Sequence, residues 1–224
     1  MDGSKERFSA LPLGGTTLEN MASLERSEAV IGVGKSMEKA GGALGKRFGI
    51  PFYSVPVPIG IDASDEFIKT LVSISGAHPP ERIMRWRKRL VDGMVDTHLV
   101  TGGRKTAIGL DRELVLAIAG LCTELGVEVK AAASDCAGDD GISTGSDLED
   151  MEDAASEGVD LVISNSHGKE TSIRLNAPLL KMGFPVVDSF GETMKLRAGY
   201  RGTLNLLFEM ANVFQSTIDY SKQM

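Results

Sequence analysis

From Arg104 to Phe214 the chain alternates short runs of β-forming residues with longer segments of helical period, and few folds accept that pattern. Strands are predicted at 106–110, 127–132, 159–164 and 178–182. Helices are predicted at 113–125, 148–155 and 203–214, with Gly126 as a stop signal. Strands separated by helices imply a parallel sheet with right-handed crossovers, a doubly wound α/β lobe of Rossmann-like type.

The first part of the chain carries a shorter version of the same pattern. Residues 28–33 read as a strand, Gly34-Lys35-Ser36 as a turn, the stretch to Phe48 as a helix, and 51–57 as a strand broken by Pro56. Asp62-Ala63-Ser64-Asp65-Glu66 offers capping oxygens to a helix running through Ile74. After Pro79-Pro80 a long helix begins. Ile83, Trp86, Leu90, Met94, Val91, Val95 and Leu99 are its expected apolar face, and Arg82, Arg85, Lys88 and Arg89 crowd the other. The expected organisation is a partial Rossmann-like lobe over 1–76, a connecting helix over 77–103, and a complete Rossmann-like lobe over 104–224. The first lobe looks incomplete, as though Met1 fell inside a longer domain. The last helix is apolar on nearly every side except Asn205, Glu209, Asn212 and Ser216, which suits packing within its own lobe or burial between subunits.

Charge and cysteine usage exclude several functions. Thirty-one acidic against 24 basic residues give a net charge of −7, which repels phosphate backbones and anionic membranes. No apolar run is long enough to span a bilayer and the first residues lack a signal-peptide core, so a cytoplasmic protein is expected. Cys122 and Cys136 have neither CxxC spacing nor a cysteine-histidine cluster around them, which argues against zinc and against a disulfide framework.

The motifs are mostly negative. Gly32-Val33-Gly34-Lys35-Ser36 resembles a phosphate loop, but Ala29 stands where the first glycine is required and Met37 where a dinucleotide fingerprint needs a small residue. No acidic residue follows the next strand to hold a ribose. The basic cluster is either a solvated face or a dock for an acidic partner. His78 and His98 have no ligand or triad partner in sequence. Asn165-Ser166-His167 follows a strand at its carboxyl end, the rim where ligands and interfaces collect in parallel sheets; the alternative is that Asn165 and Ser166 cap the next helix. Gly199-Tyr200-Arg201-Gly202 reads as the turn before the last helix, with Arg201 a candidate partner for a carboxylate. No nucleophile with its base is visible, so catalysis by this chain alone is not expected.

Several segments together resemble the nitrogenase component 1 family. They are the proline-glycine turn from Pro56 to Phe67, the helix residues Leu90 to His98 with the following Gly103 to Ile108, and Asp160 to Gly168. Gly183-Phe184-Pro185-Val186-Val187-Asp188 and the run from Gly199 to Asn212 complete the series. Within the family, Leu13-Gly14-Gly15-Thr16-Thr17, Asp147-Leu148-Glu149-Asp150 and Asn165-Ser166-His167-Gly168 look most like the scaffold subunit on which the iron-molybdenum cofactor is matured. The rival within the family is the beta subunit of the molybdenum-iron protein, an oxidoreductase component; a residual fragment without function is a third reading. The scaffold resemblance implies a NifE-like partner in a heterotetramer, exchange with the Fe protein, and an iron-sulfur cluster and cofactor precursor held between subunits. The family's cluster cysteines lie in an amino-terminal domain with no counterpart here, so the resemblance assigns no cofactor, metal or catalytic residue to this chain. Only Asn165, Ser166, His167 and Arg201 stand as interface or ligand-rim candidates. Ser189 replaces the arginine that the family commonly places after Asp188.

Overall fold

The computed structural model describes residues 16–134 and 147–217, so Cys136, the segment Leu13-Gly14-Gly15 and most of the Gly/Asp/Ser-rich loop before residue 147 lie outside the described residues. After a short helix, α1 (Leu18–Ala22), the first lobe consists of β1 (Val30–Val33), α2 (Glu38–Phe48), β2 (Phe52–Val55) and α3 (Ile61–Ser75). The connecting helix α4 spans Glu81–Thr101. The second lobe follows as β3 (Lys105–Gly109), α5 (Arg112–Leu125), β4 (Glu128–Ala133), α6 (Leu148–Ala154), β5 (Leu161–Ser164), α7 (Gly168–Arg174), β6 (Leu179–Lys181) and α8 (Gly199–Ser216).

Both sheets are parallel among the described residues: β1 pairs with β2, and the second sheet runs β4-β3-β5-β6. The order follows from the crossover rule. α5 carries the chain from β3 to one neighbour and α6 returns it to the other side, leaving the strand order to reverse at β3. Alternation along the strands divides the core. Ile108, Ala132, Leu161 and Ile163 face the layer containing α5 and α8, whereas Ala107, Ala131, Ala133 and Val162 face Met151 and Ala155 in the layer of α6.

The first lobe is sealed differently. On α2, Gly41 and Gly45 let the helix lie directly on Phe52 of β2; a Cβ at Gly41 would stand 2.1 Å from the Phe52 ring. The predicted strand 51–57 shortens to Phe52–Val55 because Pro56 cannot donate to a ladder.

The long helix keeps part of its expected apolar face, with Leu90 in the core and Ile83, Trp86 and Met94 packed against it. Its buried residues are Leu90, Gly93, Thr97 and Thr101, while Val91, Val95 and Leu99 are exposed, Leu99 at 94%. Towards its carboxyl end, small and hydroxyl residues are buried in place of Val91, Val95 and Leu99. A Cβ at Gly93 would stand 2.5 Å from Leu204 Cδ1, and Thr97 and Thr101 turn their hydroxyls onto their own helix, Thr97 to Gly93 O at 2.8 Å and Thr101 to Thr97 O at 3.2 Å. The last helix packs within its own chain through Leu206, Leu207, Met210 and Phe214, all fully buried. It also begins earlier than predicted. Gly199 to Gly202 is its first turn and no separate loop, because Gly202 lets that turn approach the Arg197 backbone so closely that a Cβ would lie 2.5 Å from the Arg197 carbonyl carbon.

Candidate functional site

The strand order reverses between β3 and β5, and the carboxyl ends of these two strands are where open α/β sheets place ligands. Ser164 closes that end by donating to Gly109 O at 2.6 Å, and Gly168 lets α7 start directly against Ser164. The turn between them holds Asn165, Ser166 and His167. Asn165 Oδ1 accepts from His167 N at 2.9 Å, and Asn165 Nδ2 donates to Phe184 O at 2.9 Å. Ser166 donates its hydroxyl to Asp188, accepts from Val187 N at 2.9 Å, and gives its amide to Pro185 O at 3.1 Å.

The N-cap of α7 is His167, whose own side chain makes no capping bond; Asn165 Oδ1 reaches the His167 amide at that end, and the Ser166 side chain makes no bond to α7. Both residues also brace the connection after β6, whose irregular backbone needs partners outside any ladder. Lys181 Nζ reaches Asp188 at 2.8 Å, and the hydrogen bonds from Lys181 and Ser166 hold the Asp188 carboxyl down at about 2. Lys181 therefore meets the charge beside the departure at Ser189. The braced connection exposes Phe184, Val187, Phe190 and Met194. Its far end is tied down by Arg197, which bonds Glu192 at 3.1 Å and Glu209 at 2.9 Å.

Arg201 does not join this rim. Its guanidinium lies over the Trp86 ring of α4 at 5.2 Å, and no carboxylate among the described residues pairs with it. The carboxylate nearby, Asp65, is taken by Arg87 in a two-pronged contact at 2.8 Å and by the Tyr200 hydroxyl at 2.7 Å. The Arg87 hydrogen bonds lower the Asp65 pKa, and burial together with Asp65 raises that of Tyr200.

A second concavity, about 650 Å³, lies between the lobes along α5. Glu113 near the start of α5 accepts from Lys35 N at 3.0 Å and Ser36 N at 2.7 Å. Glu124, three turns on, accepts from Ile61 N at 2.8 Å and Asp62 N at 2.9 Å. The amides of the phosphate-loop look-alike are thus engaged by a protein carboxylate. The start of α3, expected to be capped by its own acidic residues, is capped by Glu124 from across the cleft. Gly34 and Gly60, at φ 91° and 99°, bring the backbone close enough; a Cβ at either would strike the glutamate. Sequence reading missed both clasps. The only signal was the pair of glutamates on one face of α5 with Ala117 and Gly120 between them.

Iron-sulfur clusters need well-placed thiolates. Among the described residues no group of three or more His, Cys, Asp or Glu is arranged to hold a metal ion. Cys122 is fully buried on α5, and burial pushes its thiol up to about 12, which disfavours the thiolate. These residues do not fit a cluster. Also among the described residues, no helix is long and apolar enough to cross a membrane.

Residues 4–215 match the model of the family described as nitrogenase component 1 type oxidoreductase. The chain is 37% identical over 231 residues to the nitrogenase iron-molybdenum cofactor biosynthesis protein NifN of Rippkaea orientalis, covering 95% of this chain and 50% of that protein. It is 34% identical to NifN of Bradyrhizobium diazoefficiens, covering 93% and 46%, and 30% identical to the nitrogenase molybdenum-iron protein beta chain of Clostridium pasteurianum, covering 95% and 50%. A solved structure titled nitrogenase Cp1 at pH 6.5 superposes with a TM-score of 0.88 at 29% identity, over 95% of this chain and 51% of that one. The chain spans about half the length of the relatives it matches. On the family match and these identities, the chain belongs to the nitrogenase component 1 type oxidoreductase family.

Proposed function

We propose that the chain serves as a scaffold portion in nitrogenase iron-molybdenum cofactor biosynthesis, in the cytoplasm, assembled with a NifE-like subunit and exchanging with the Fe protein. The observation that carries this reading is the identity to NifN proteins, 31% to 37% over more than nine-tenths of the chain. The exposed apolar side chains of the connection after β6 support an assembled state, because a monomer gains nothing by presenting Phe184, Phe190 and Met194 to water. In this reading the rim of Asn165, Ser166 and His167 shapes an interface: two of its side chains brace the loop, and the exposed His167 faces the partner or its ligand. The chain contributes surface, with cluster ligands supplied elsewhere.

Co-expression with a NifE subunit, followed by size exclusion with light scattering, tests the proposal. A stable complex with NifE, and none with a nitrogenase alpha chain, is expected. The chain purified alone is expected to contain no stoichiometric iron or acid-labile sulfide. A cluster reconstituted on the isolated chain and lost on Cys122→Ser would overturn the reading. The 30% identity to a molybdenum-iron protein beta chain supports a second reading, an oxidoreductase component, and preferential association with the alpha chain would establish that one instead.

A further inference from the structure

The amino-terminal half of α4 carries Arg82, Arg85, Lys88 and Arg89, all exposed, and the first turn of α8 adds Arg201. In a chain of net charge −7 this is a local reversal of sign. None of the five forms an ion pair among the described residues, in contrast to Arg87 one position away, which is committed to Asp65. The two guanidinium groups nearest the helix contact are held in place. Arg89 lies over the Trp86 ring at 4.7 Å and Arg201 at 5.2 Å. Stacking of this kind orients a guanidinium while leaving its N–H edge free for a carboxylate.

Beside Trp86 opens a pocket of about 340 Å³ walled by Pro58, Phe67, Ile68, Ile83 and Tyr200. Its polar atoms are occupied inward. Ser64 Oγ donates to Gly60 O at 2.6 Å, and the Tyr200 hydroxyl donates to Asp65. What the pocket offers a ligand is therefore carbon, with cations at and near its mouth. Arg82 and Arg89 are seven residues apart on a helix, roughly 10 Å at 1.5 Å per residue. One small carboxylic acid cannot span that distance, whereas an extended peptide covers it in about three residues. Exposed Asp92 and Asp96 lie further along α4 and bound the basic stretch on that side.

From this arrangement we infer that the Arg82–Arg89 face of α4, with Trp86, Arg201 and the adjoining pocket, docks an acidic segment of another protein, placing an apolar side chain in the pocket and flanking carboxylates on the arginines. Aromatic and arginine anchors around a desolvated pocket are the composition of interface hot spots. The overall negative charge does not prevent this, because at physiological salt the screening length is about 8 Å and the contact feels mainly the local cations. The inference does not depend on the scaffold proposal.

A dye-labelled, end-blocked, glutamate-rich peptide carrying one central phenylalanine is the probe, and fluorescence anisotropy on the full chain is the readout. Trp86 is the only tryptophan, so its emission gives a second signal from the pocket itself. Saturable binding is expected, weakening with salt, roughly tenfold weaker for the same peptide with glutamine in place of glutamate, and weaker again when its phenylalanine is replaced by serine. Arg82→Gln with Arg85→Gln changes exposed side chains that make no ion pair among the described residues. It is expected to weaken binding about tenfold while thermal melting and circular dichroism stay unchanged. The absence of saturable binding, equal affinity for the glutamine peptide, indifference to the double substitution, or preference for an oligodeoxythymidylate or for anionic lipid vesicles would each overturn the inference.

Discussion

The two lobes repeat one β-α-β logic and differ in what holds them together. Beyond α4, among the described residues, the sheet has four strands with helices on both faces and fully buried Ile108, Leu161, Ile163, Leu206 and Phe214. Before α4, among the described residues, the sheet has two strands, and Val55 and Ile59 are the only buried apolar side chains apart from glycines. Ile59 itself packs into the second lobe's core. The first lobe is ordered largely by contacts to the second: the Glu113 and Glu124 clasps, Gly60 N donating to Thr203 Oγ1 at 3.0 Å, and Gly199 N donating to Pro58 O at 2.6 Å. A two-stranded sheet is marginal by itself, so these contacts do what a core does elsewhere.

The largest expected effect tests that difference directly. In native-state hydrogen exchange, core amides of β3, β5 and α8 are expected to exchange only on global unfolding, of order 5–15 kcal/mol. Amides of β1, α2 and β2 are expected to exchange through a cheaper local opening. Uniformly strong protection, in a chain shown by light scattering to be monomeric, would mean that the first lobe is stable in its own right.

The second lobe was legible in the sequence because hydrophobic period and sheet order are local and combinatorial properties. Each of its strands was found, with ends shifted by a residue or two. Less legible was anything that depends on which residue of a distant element arrives. Asp62 to Glu66 looked like a self-capping start, yet Glu124 supplies the cap and Asp65 serves Arg87 and Tyr200. Leu99 looked like core, yet it is exposed, and Gly93, Thr97 and Thr101 are buried beside the expected Leu90. At the rim, the sequence located Asn165 and Ser166 but not their role, because the loop they brace returns about twenty positions later.

A smaller effect sharpens the comparison through one substitution made in each lobe. Gly93→Ala pushes a methyl group against the buried Leu204 side chain and the Phe208 ring between α4 and α8; overpacking of about 1–3 kcal/mol, against a helix-propensity gain of up to about 1 kcal/mol, is expected to leave a net loss of global stability. Gly41→Ala meets the Phe52 ring still more closely, but Phe52 is half-buried on a two-stranded sheet that can shift. Denaturant unfolding is expected to show a lower midpoint for Gly93→Ala and a nearly unchanged one for Gly41→Ala, with the latter's loss confined to exchange protection in β1 and β2. Gly42→Ala serves as the control: its Cβ meets nothing within 4 Å, so helix propensity alone should stabilise α2 by up to about 1 kcal/mol. Equal global losses for Gly93→Ala and Gly41→Ala would show that the lobes unfold as one unit.

The smallest effect separates two carboxylates, one in the cleft between lobes and one on the rim. Burial raises Glu124 above its ordinary value; the Asp62 and Ile61 amides oppose the rise, and the charges of Asp62 and Asp65 add to it. Folded Glu124 therefore binds a proton more readily than unfolded Glu124. Its contribution to stability is present below the unfolded value of about 4.3 and is lost as pH rises through the folded value. Asp188 has the opposite sign. Held down at about 2 by Lys181 and Ser166, it contributes above its unfolded value of about 3.9, and that contribution is lost as pH falls. Urea unfolding at a series of pH values is expected to show Glu124→Gln gaining on the natural chain as the pH rises past about 4.3. For Asp188→Asn, the deficit is expected to be present at neutral pH and to close as the pH falls from about 4 towards about 2. If Glu124→Gln instead runs parallel to the natural chain at every pH, the Glu124 carboxylate is as well solvated folded as unfolded. The cleft is then open to water at that clasp, and the two lobes touch there more loosely than the hydrogen bonds to Ile61 and Asp62 imply.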